Sequence, residues 1–175
     1  MQEKIVMYID IINKLNELNI EYNELEHAVS KSCDDSKLFR QQAWYDWIGS
    51  KNIVFHAKWK YYLVTTIWDK ELKARKFKHE FGTKDIRFAN QEEITREIDW
   101  VIGSIPPFGF KNELITIFID QEIFDHEYFM FNPGDATKTI RIKTSDLIKI
   151  YKTLKNPIKL FDFKWEEAIF EEIEK

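Results

Sequence analysis

Ile5, Tyr8, Ile9, Ile12, Leu15 and Leu18 recur at spacings of three and four residues, so the chain opens with the single apolar stripe of an amphipathic helix. A weak alternation through Ile20, Tyr22 and Leu25 predicts a short strand leading to His27. "SCDDSKLFRQQAWYDWIGS" predicts a helix capped by Ser32 or Asp34 and stopped at Gly49. "KNIVFHA" and "KYYLVTTIW" are strand signals separated only by Lys58 and Trp59, which predicts a hairpin. "DKELKARKFKHEFG" reads as a helix closed by Gly82, and "DIRFA" as a short strand. In "NQEEITREID" Asn90 precedes Glu93 by three residues, the spacing of a capping box at a helix start. Three strand signals follow after residue 112: "ELITIFID", "YFMFNPG" and "TKTIRIK", the last with Thr137, Thr139, Arg141 and Lys143 on one face. "TSDLIKIYKTL" predicts a helix capped by Thr144 or Ser145. Past Pro157, "KLFDFKWEEAIFEEIEK" reads as a short acidic helix with an apolar stripe of Trp165, Ile169, Phe170 and Ile173.

Consecutive strands without intervening helices require antiparallel pairs. The expected class is therefore α+β, a mixed and largely antiparallel central sheet with surrounding helices. Residues 1–156 form the expected domain and residues 157–175 an acidic helical tail. No linker or repeat divides the chain.

Composition narrows the picture. Hydrophobic residues make up 44% of the 175 and aromatics 15%, enough to fill one core. The single cysteine, Cys33, has no partner for a disulfide or a cysteine zinc site, and "SCDDS" surrounds it with carboxylates that disfavour a thiolate nucleophile. No signal peptide or membrane span is legible, so a cytoplasmic protein is expected. The net charge of −4 hides a basic middle: residues 51–160 carry 19 Lys/Arg against 15 Asp/Glu, between two acidic ends. A nucleic-acid partner would meet that middle, although the excess is modest.

Nucleophile, P-loop, zincin and dinucleotide motifs are all missing, and the four histidines stand far apart. No metal or cofactor is expected. The conspicuous stretch is "IGSIPPFGF", residues 102–110, where two of the five glycines and two of the four prolines fall within seven residues. Hinges and locks in such density predict a stiff main-chain loop lining a small-molecule pocket. Lys51 at a strand start and the Pro–Gly turn of "FNPGDATKTIRI" are each ordinary alone.

Their order along the chain resembles one family. "EH" after a first strand, "KNIVF" in a hairpin, "IRFANQEEI" before the loop, "GSIPPFG", a strand ending in Asp120 and "FNPGDATKTIRI" before a helix are similar to the YbaK/ProX-type aminoacyl-tRNA deacylases. These are relatives of the editing domain inserted in bacterial prolyl-tRNA synthetases. The resemblance spans roughly residues 5 to 151 and implies a free-standing enzyme that hydrolyses the ester of tRNA mischarged with a small amino acid. It implies that Lys51 is the essential lysine and that the loop with Gly103, Ser104 and Pro107 is the wall holding the ester. His27, Ile105, Phe108, Gly109, Asn132, Gly134 and Thr137 become candidate substrate contacts. Where the family commonly has His before the later Pro, this chain has Asn132, a departure that bears on substrate choice. Candidate tRNA contacts are Lys73, Arg75 and Lys76 in the basic segment and Lys138 and Arg141 on the later strand. An aminoacyl-tRNA synthetase is a possible partner under this reading. The alternative is a tRNA- or small-molecule-binding protein that keeps the fold without hydrolysis.

An aminoacyl ester is already activated, so the protein need only place it, orient a water and stabilise the oxyanion. Main-chain groups in a stiff loop can do this without an acid–base pair. The lysine would serve as a compact cation beside the ester or a phosphate.

Overall fold

The computed structural model describes residues 2–29, 33–43, 48–100, 102–162 and 169–173. Helix α1 (Gln2–Glu17) leads to strand β1 (Asn23–Glu26), helix α2 (Cys33–Gln42) and the hairpin β2 (Ser50–Ala57) and β3 (Lys60–Ile67). A 3-10 turn at Ala74–Phe77, strand β4 (Arg87–Phe88) and helix α3 (Gln91–Ile98) precede the 102–110 loop. Then come β5 (Thr116–Asp120), a 3-10 turn at Gln121–Asp125, β6 (Tyr128–Phe131), β7 (Lys138–Lys143), α4 (Thr144–Thr153), β8 (Ile158–Asp162) and β9 (Ile169–Glu172).

The strands form two sheets. One has six strands in the order β4-β2-β3-β5-β8-β9, and the other three in the order β1-β7-β6. The small sheet is antiparallel throughout, as are the β2–β3, β2–β4 and β8–β9 pairs. The α+β class holds, but β5 is parallel to both its neighbours, β3 and β8. The six-stranded sheet separates two cores. Val54, Leu63, Ile117 and Ile119 face the larger one, with Ile11 and Leu15 of α1 and Leu147, Ile150 and Tyr151 of α4. Phe55, Phe77, Phe81, Phe118 and Phe161 form an aromatic core on the opposite face. Period-two alternation along β2, β3 and β5 divides the residues between them.

Two expected helices are not helices. Residues 69–82 hold only the 3-10 turn at Ala74–Phe77 followed by turns, although Gly82 does end them with a φ of 62°. The buried anchors are Leu72, Phe77 and Phe81, and the five-residue step from Leu72 to Phe77 does not keep one helical face. Lys70, just upstream, is held by Asp120 and Glu122, which draws the chain across the sheet before it turns. The expected tail helix is instead the β8–β9 hairpin, with Phe161 opposite Phe170. Placing Ile117 to Asp120 opposite Ile158 to Phe161 pairs β5 on its second side, which a helix would have left open. Residues 158–162 are thus integral to the sheet; Trp165 and the 44–47 aromatic segment lie outside the described residues.

The local signals that do hold are those satisfied by immediate neighbours. Lys58 and Trp59 make the two-residue turn between β2 and β3 with φ of 47° and 65°. Asn90 accepts the Glu93 N–H, and Glu93 accepts the Asn90 N–H. Neither Thr144 nor Ser145 caps α4: the cap position is Lys143, and the Thr144 hydroxyl donates to the His126 carbonyl. The capping box also sets a pH dependence. The Arg87 guanidinium, followed by the Asn90 N–H, holds the Glu93 carboxyl down at about 2, below its ordinary 4.5. Its contribution to stability is complete above pH 4.5 and is lost as the pH falls through about 2. The acid side of a Tm–pH profile should therefore be flatter in Glu93→Gln than in the parent.

Candidate functional site

The 102–110 loop crosses the larger core, and its ends carry the left-handed φ values that glycine tolerates: 90° at Gly103 and 97° at Gly109. Between them Ser104, Ile105, Pro106, Pro107 and Phe108 are all buried. Three side chains from three elements suspend the loop. Gln91, at the start of α3, accepts the Ile102 N–H at 2.9 Å. Asn52 of β2 donates to the Ile105 carbonyl at 2.7 Å. Tyr151 of α4 donates to the Pro107 carbonyl at 3.3 Å. Asn52 is itself oriented by Thr65, which donates to its Oδ1 at 2.8 Å. Burial pushes the Tyr151 phenol far above the ordinary tyrosine range, so it stays a proton donor at every physiological pH. Phe108 packs edge-on against Phe131 and Tyr151, with centroids 5.3 and 6.4 Å away.

These bonds turn two loop carbonyls toward the protein. The prolines contribute no N–H, and among the described residues the N–H groups of Gly103 and Ile105 make no hydrogen bond. Backbone donors without carbonyl competitors are what a developing oxyanion requires.

The Asn132–Asp135 turn is locked beside this loop. Asn132 Oδ1 accepts the Gly134 N–H at 2.9 Å. Gly134 has a φ of 85°, and a Cβ there would sit 2.2 Å from the ring of Trp100, the residue that leads into the loop. Gly134→Ala is expected to lower stability by about 2–3 kcal/mol, from overpacking and left-handed backbone together, read as a lower Tm. Thr137 donates to Asp135 through both its N–H and its hydroxyl, at 2.9 and 2.7 Å. Burial pushes the Asp135 carboxyl up, but these two bonds outweigh it and hold it below the ordinary range. The Thr137 carbonyl accepts the His27 N–H. The His27 ring stacks on Phe39 at 4.7 Å, with Nδ1 2.7 Å from the Ala28 carbonyl and Nε2 3.0 Å from the Thr139 hydroxyl. A carbonyl can only accept, so Nδ1 carries the hydrogen, and in the neutral ring Nε2 then accepts from the Thr139 hydroxyl. His27, Phe39, Gln42 and Ala43 line a cleft of about 270 Å³.

Lys51 follows a different path. Adjacent strand residues leave opposite faces, so Asn52 meets the loop while Lys51 leaves on the aromatic-core side. Its half-buried ammonium donates to the Lys70 carbonyl at 2.9 Å. No carboxylate lies within 4.0 Å of it among the described residues, and two of its three protons remain available there. Across the sheet Lys51 is in register with Thr66, and Thr66 donates to the buried Asp120. Lys70 binds Asp120 and Glu122, both at 2.7 Å. Burial alone would lower the Lys70 ammonium, but those two bonds raise it above the ordinary lysine range.

The basic candidates separate as well. Lys138 donates to Glu24 and Glu26 at 2.7 and 2.8 Å and lies over the Tyr8 ring, so it is committed within the fold rather than offered to a phosphate. Arg141 lies 3.6 Å above the Tyr128 ring. Lys73 pairs with Glu71 at 3.4 Å and is exposed, as is Arg75, on the turns that replace the expected basic helix. Lys76 is half-buried. Among the described residues no group of three His, Cys, Asp or Glu side chains gathers as a metal site would need, and no helix is long and apolar enough to cross a membrane.

Residues 48–150, spanning the hairpin, the loop and the later turn, match the model of the aminoacyl-tRNA editing domain. The chain belongs to that family. The prolyl-tRNA editing protein ProX of Acetoanaerobium sticklandii is 23% identical over 156 residues, covering 87% of this chain and 94% of that one. The editing domain's fold recurs in solved structures. A proposed trans-editing enzyme for prolyl tRNA synthetase aligns with a TM-score of 0.69 at 15% identity, over 87% of this chain and 94% of that one. A protein from a study of epitope grafting onto scaffolds aligns with a TM-score of 0.73 at 13% identity, over 91% and 97%. Sequence reasoning finds the loop of this editing domain but misses its supports, Asn52, Thr65, Gln91 and Tyr151. Asn52 alone carries a signal, as the residue beside Lys51 in "KNIVF".

Proposed function

We propose that this editing domain is a free-standing deacylase that hydrolyses the ester of tRNA mischarged with a small amino acid. The observation that carries the reading is the suspended loop: with Ile105 and Pro107 carbonyls held by Asn52 and Tyr151, the amides of Gly103 and Ile105 are left to meet an ester oxygen. The ester carbonyl is attacked by water, its oxygen takes the negative charge against those amides, and the ribose oxygen leaves with the proton that water gives up. Lys51, which leaves the sheet on the face opposite the loop, acts as the cation for a phosphate of the acceptor end, because it has donors to spare and no carboxylate partner among the described residues.

The His27–Phe39 cleft of about 270 Å³ has room for an amino-acid side chain. Editing in trans has a physical reason: one methylene gives a synthetase only about 10- to 200-fold discrimination, so small wrong residues require a hydrolytic sieve. In Asn132, Oδ1 is spent on Gly134, which leaves its amide donors for the substrate where the family commonly has an imidazole. The reading is tested by release of radiolabelled amino acid from a panel of mischarged tRNAs, with prolyl-, alanyl-, seryl- and cysteinyl-tRNA included. Rapid hydrolysis of at least one small aminoacyl ester is expected, and hydrolysis of none would remove it.

A further inference from the structure

At the opposite end of the β2–β3 hairpin from Lys51 and Asn52, the turn is Lys58–Trp59, flanked by Lys60. Both turn residues have positive φ, where Asn–Gly is the sequence that such a turn prefers. A tryptophan held at a φ of 65° is conformationally unfavourable, and its side chain is 92% exposed, so packing within the chain does not repay it. Behind Trp59 lies a cleft of about 410 Å³ lined by Tyr61, Tyr62, Asn112, Leu114 and Pro157. Leu114, on the far wall, is 88% exposed. The charges at the rim are asymmetric. Glu97 is taken by Arg96 at 2.8 Å and Glu113 by Lys155 at 2.9 Å, whereas neither Lys58 nor Lys60 has a carboxylate within 4.0 Å among the described residues.

From these features we infer that the hairpin tip and its cleft are a second RNA contact, in which an unstacked base lies on Trp59 and the adjoining phosphates meet Lys58 and Lys60. A rigid aromatic face with two uncommitted cations beside it suits a base and its backbone, since stacking needs only a π-face and lysine binds phosphate as a point charge. The position suits a large substrate. Asn112, Leu114 and Ile115, just past the loop, form the cleft's far wall, and the tip stands about 20 Å along β2 from Asn52 at the strand rise. An acceptor end at the loop would therefore leave the body of the same tRNA to reach the tip; this rests on the reading of tRNA as substrate.

The test is equilibrium binding of uncharged tRNA to the full chain over a range of salt, for the parent, Trp59→Ala, Trp59→Tyr and the double variant Lys58→Gln/Lys60→Gln. Trp59→Ala should weaken binding about 5- to 100-fold, and Trp59→Tyr should recover most of it. The double lysine variant should lower the slope of log K against log salt by about 1.4–1.8, the share of two phosphate contacts. Tm should stay at the parent value, because the three side chains are exposed. Parent affinity in Trp59→Ala with an unchanged salt slope in the lysine variant overturns the inference. So does a change in sedimentation from dimer to monomer at constant RNA affinity, which would give the surface to a second copy of the chain. Because the RNA carries no ester, a chain that binds through Trp59 yet hydrolyses nothing would sink the deacylase reading and leave this one standing. Full hydrolysis with Trp59→Ala indistinguishable from the parent would do the reverse.

Discussion

Lys51→Ala should lower kcat/KM for aminoacyl-tRNA hydrolysis about 10- to 150-fold, the range for losing one charge-assisted contact to a phosphate. Its effect on folding should be small by comparison. The Lys51 side chain makes one hydrogen bond within the described structure, to the Lys70 carbonyl, and such a bond contributes about 1 kcal/mol. That is about 2–4 °C of Tm for a chain of this length. The disproportion is the test, since a residue that only braced the hairpin would lose stability and activity together. Lys51→Arg keeps the charge but replaces a compact ammonium with a planar fork, and should recover only part of the rate. If Lys51→Ala hydrolyses every susceptible ester at the parent rate, the ammonium has no part in the reaction and the loop must act alone.

The separation of Lys51 from the loop shows what can be read from the sequence and what cannot. The loop is legible because glycine and proline act through their own backbones, and the same locality makes the Lys58–Trp59 hairpin and the Asn90–Glu93 box legible. What suspends the loop is not legible. Asn52 and Ile105 are 53 residues apart and Tyr151 and Pro107 are 44 apart, and no spacing rule joins such pairs. Yet the two-residue period of a strand already forbids Lys51 and Asn52 from sharing a face once both lie in β2. The C-terminal hairpin escapes the sequence for the complementary reason. Apolar residues in "KLFDFKWEEAIFEEI" fit a helical stripe as well as an alternation, and β5, the strand that decides between them, ends 38 residues before β8 begins. Lys138 reads as a free cation because the sequence does not reveal that Glu24 and Glu26 face it across β1 and β7.

Lys70→Met should destabilise the fold by about 3–5 kcal/mol, more than Gly134→Ala or Lys51→Ala, because it removes the partner of a buried charge rather than a surface pair. The Asp120 side chain is 1% exposed, and once Lys70 is gone its carboxylate keeps, among the described residues, only the Thr66 hydroxyl and the Glu122 N–H. The expected fall in Tm is about 6–20 °C. A second consequence ties this core charge to the chemistry. Asp120 and Glu122 grip the Lys70 side chain, and that grip places the Lys70 carbonyl to which Lys51 donates. Well below its lowered Tm, Lys70→Met should therefore hydrolyse esters more slowly than the parent, with the loss in kcat/KM, since the lysine cation is displaced from its phosphate while the contacts that bind tRNA elsewhere are untouched. Lys70→Arg, which can still reach both carboxylates, should restore stability and rate together. A Lys70→Met chain that melts well below the parent yet turns over at the parent rate at low temperature would show that the Lys51 ammonium is placed without its bond to Lys70.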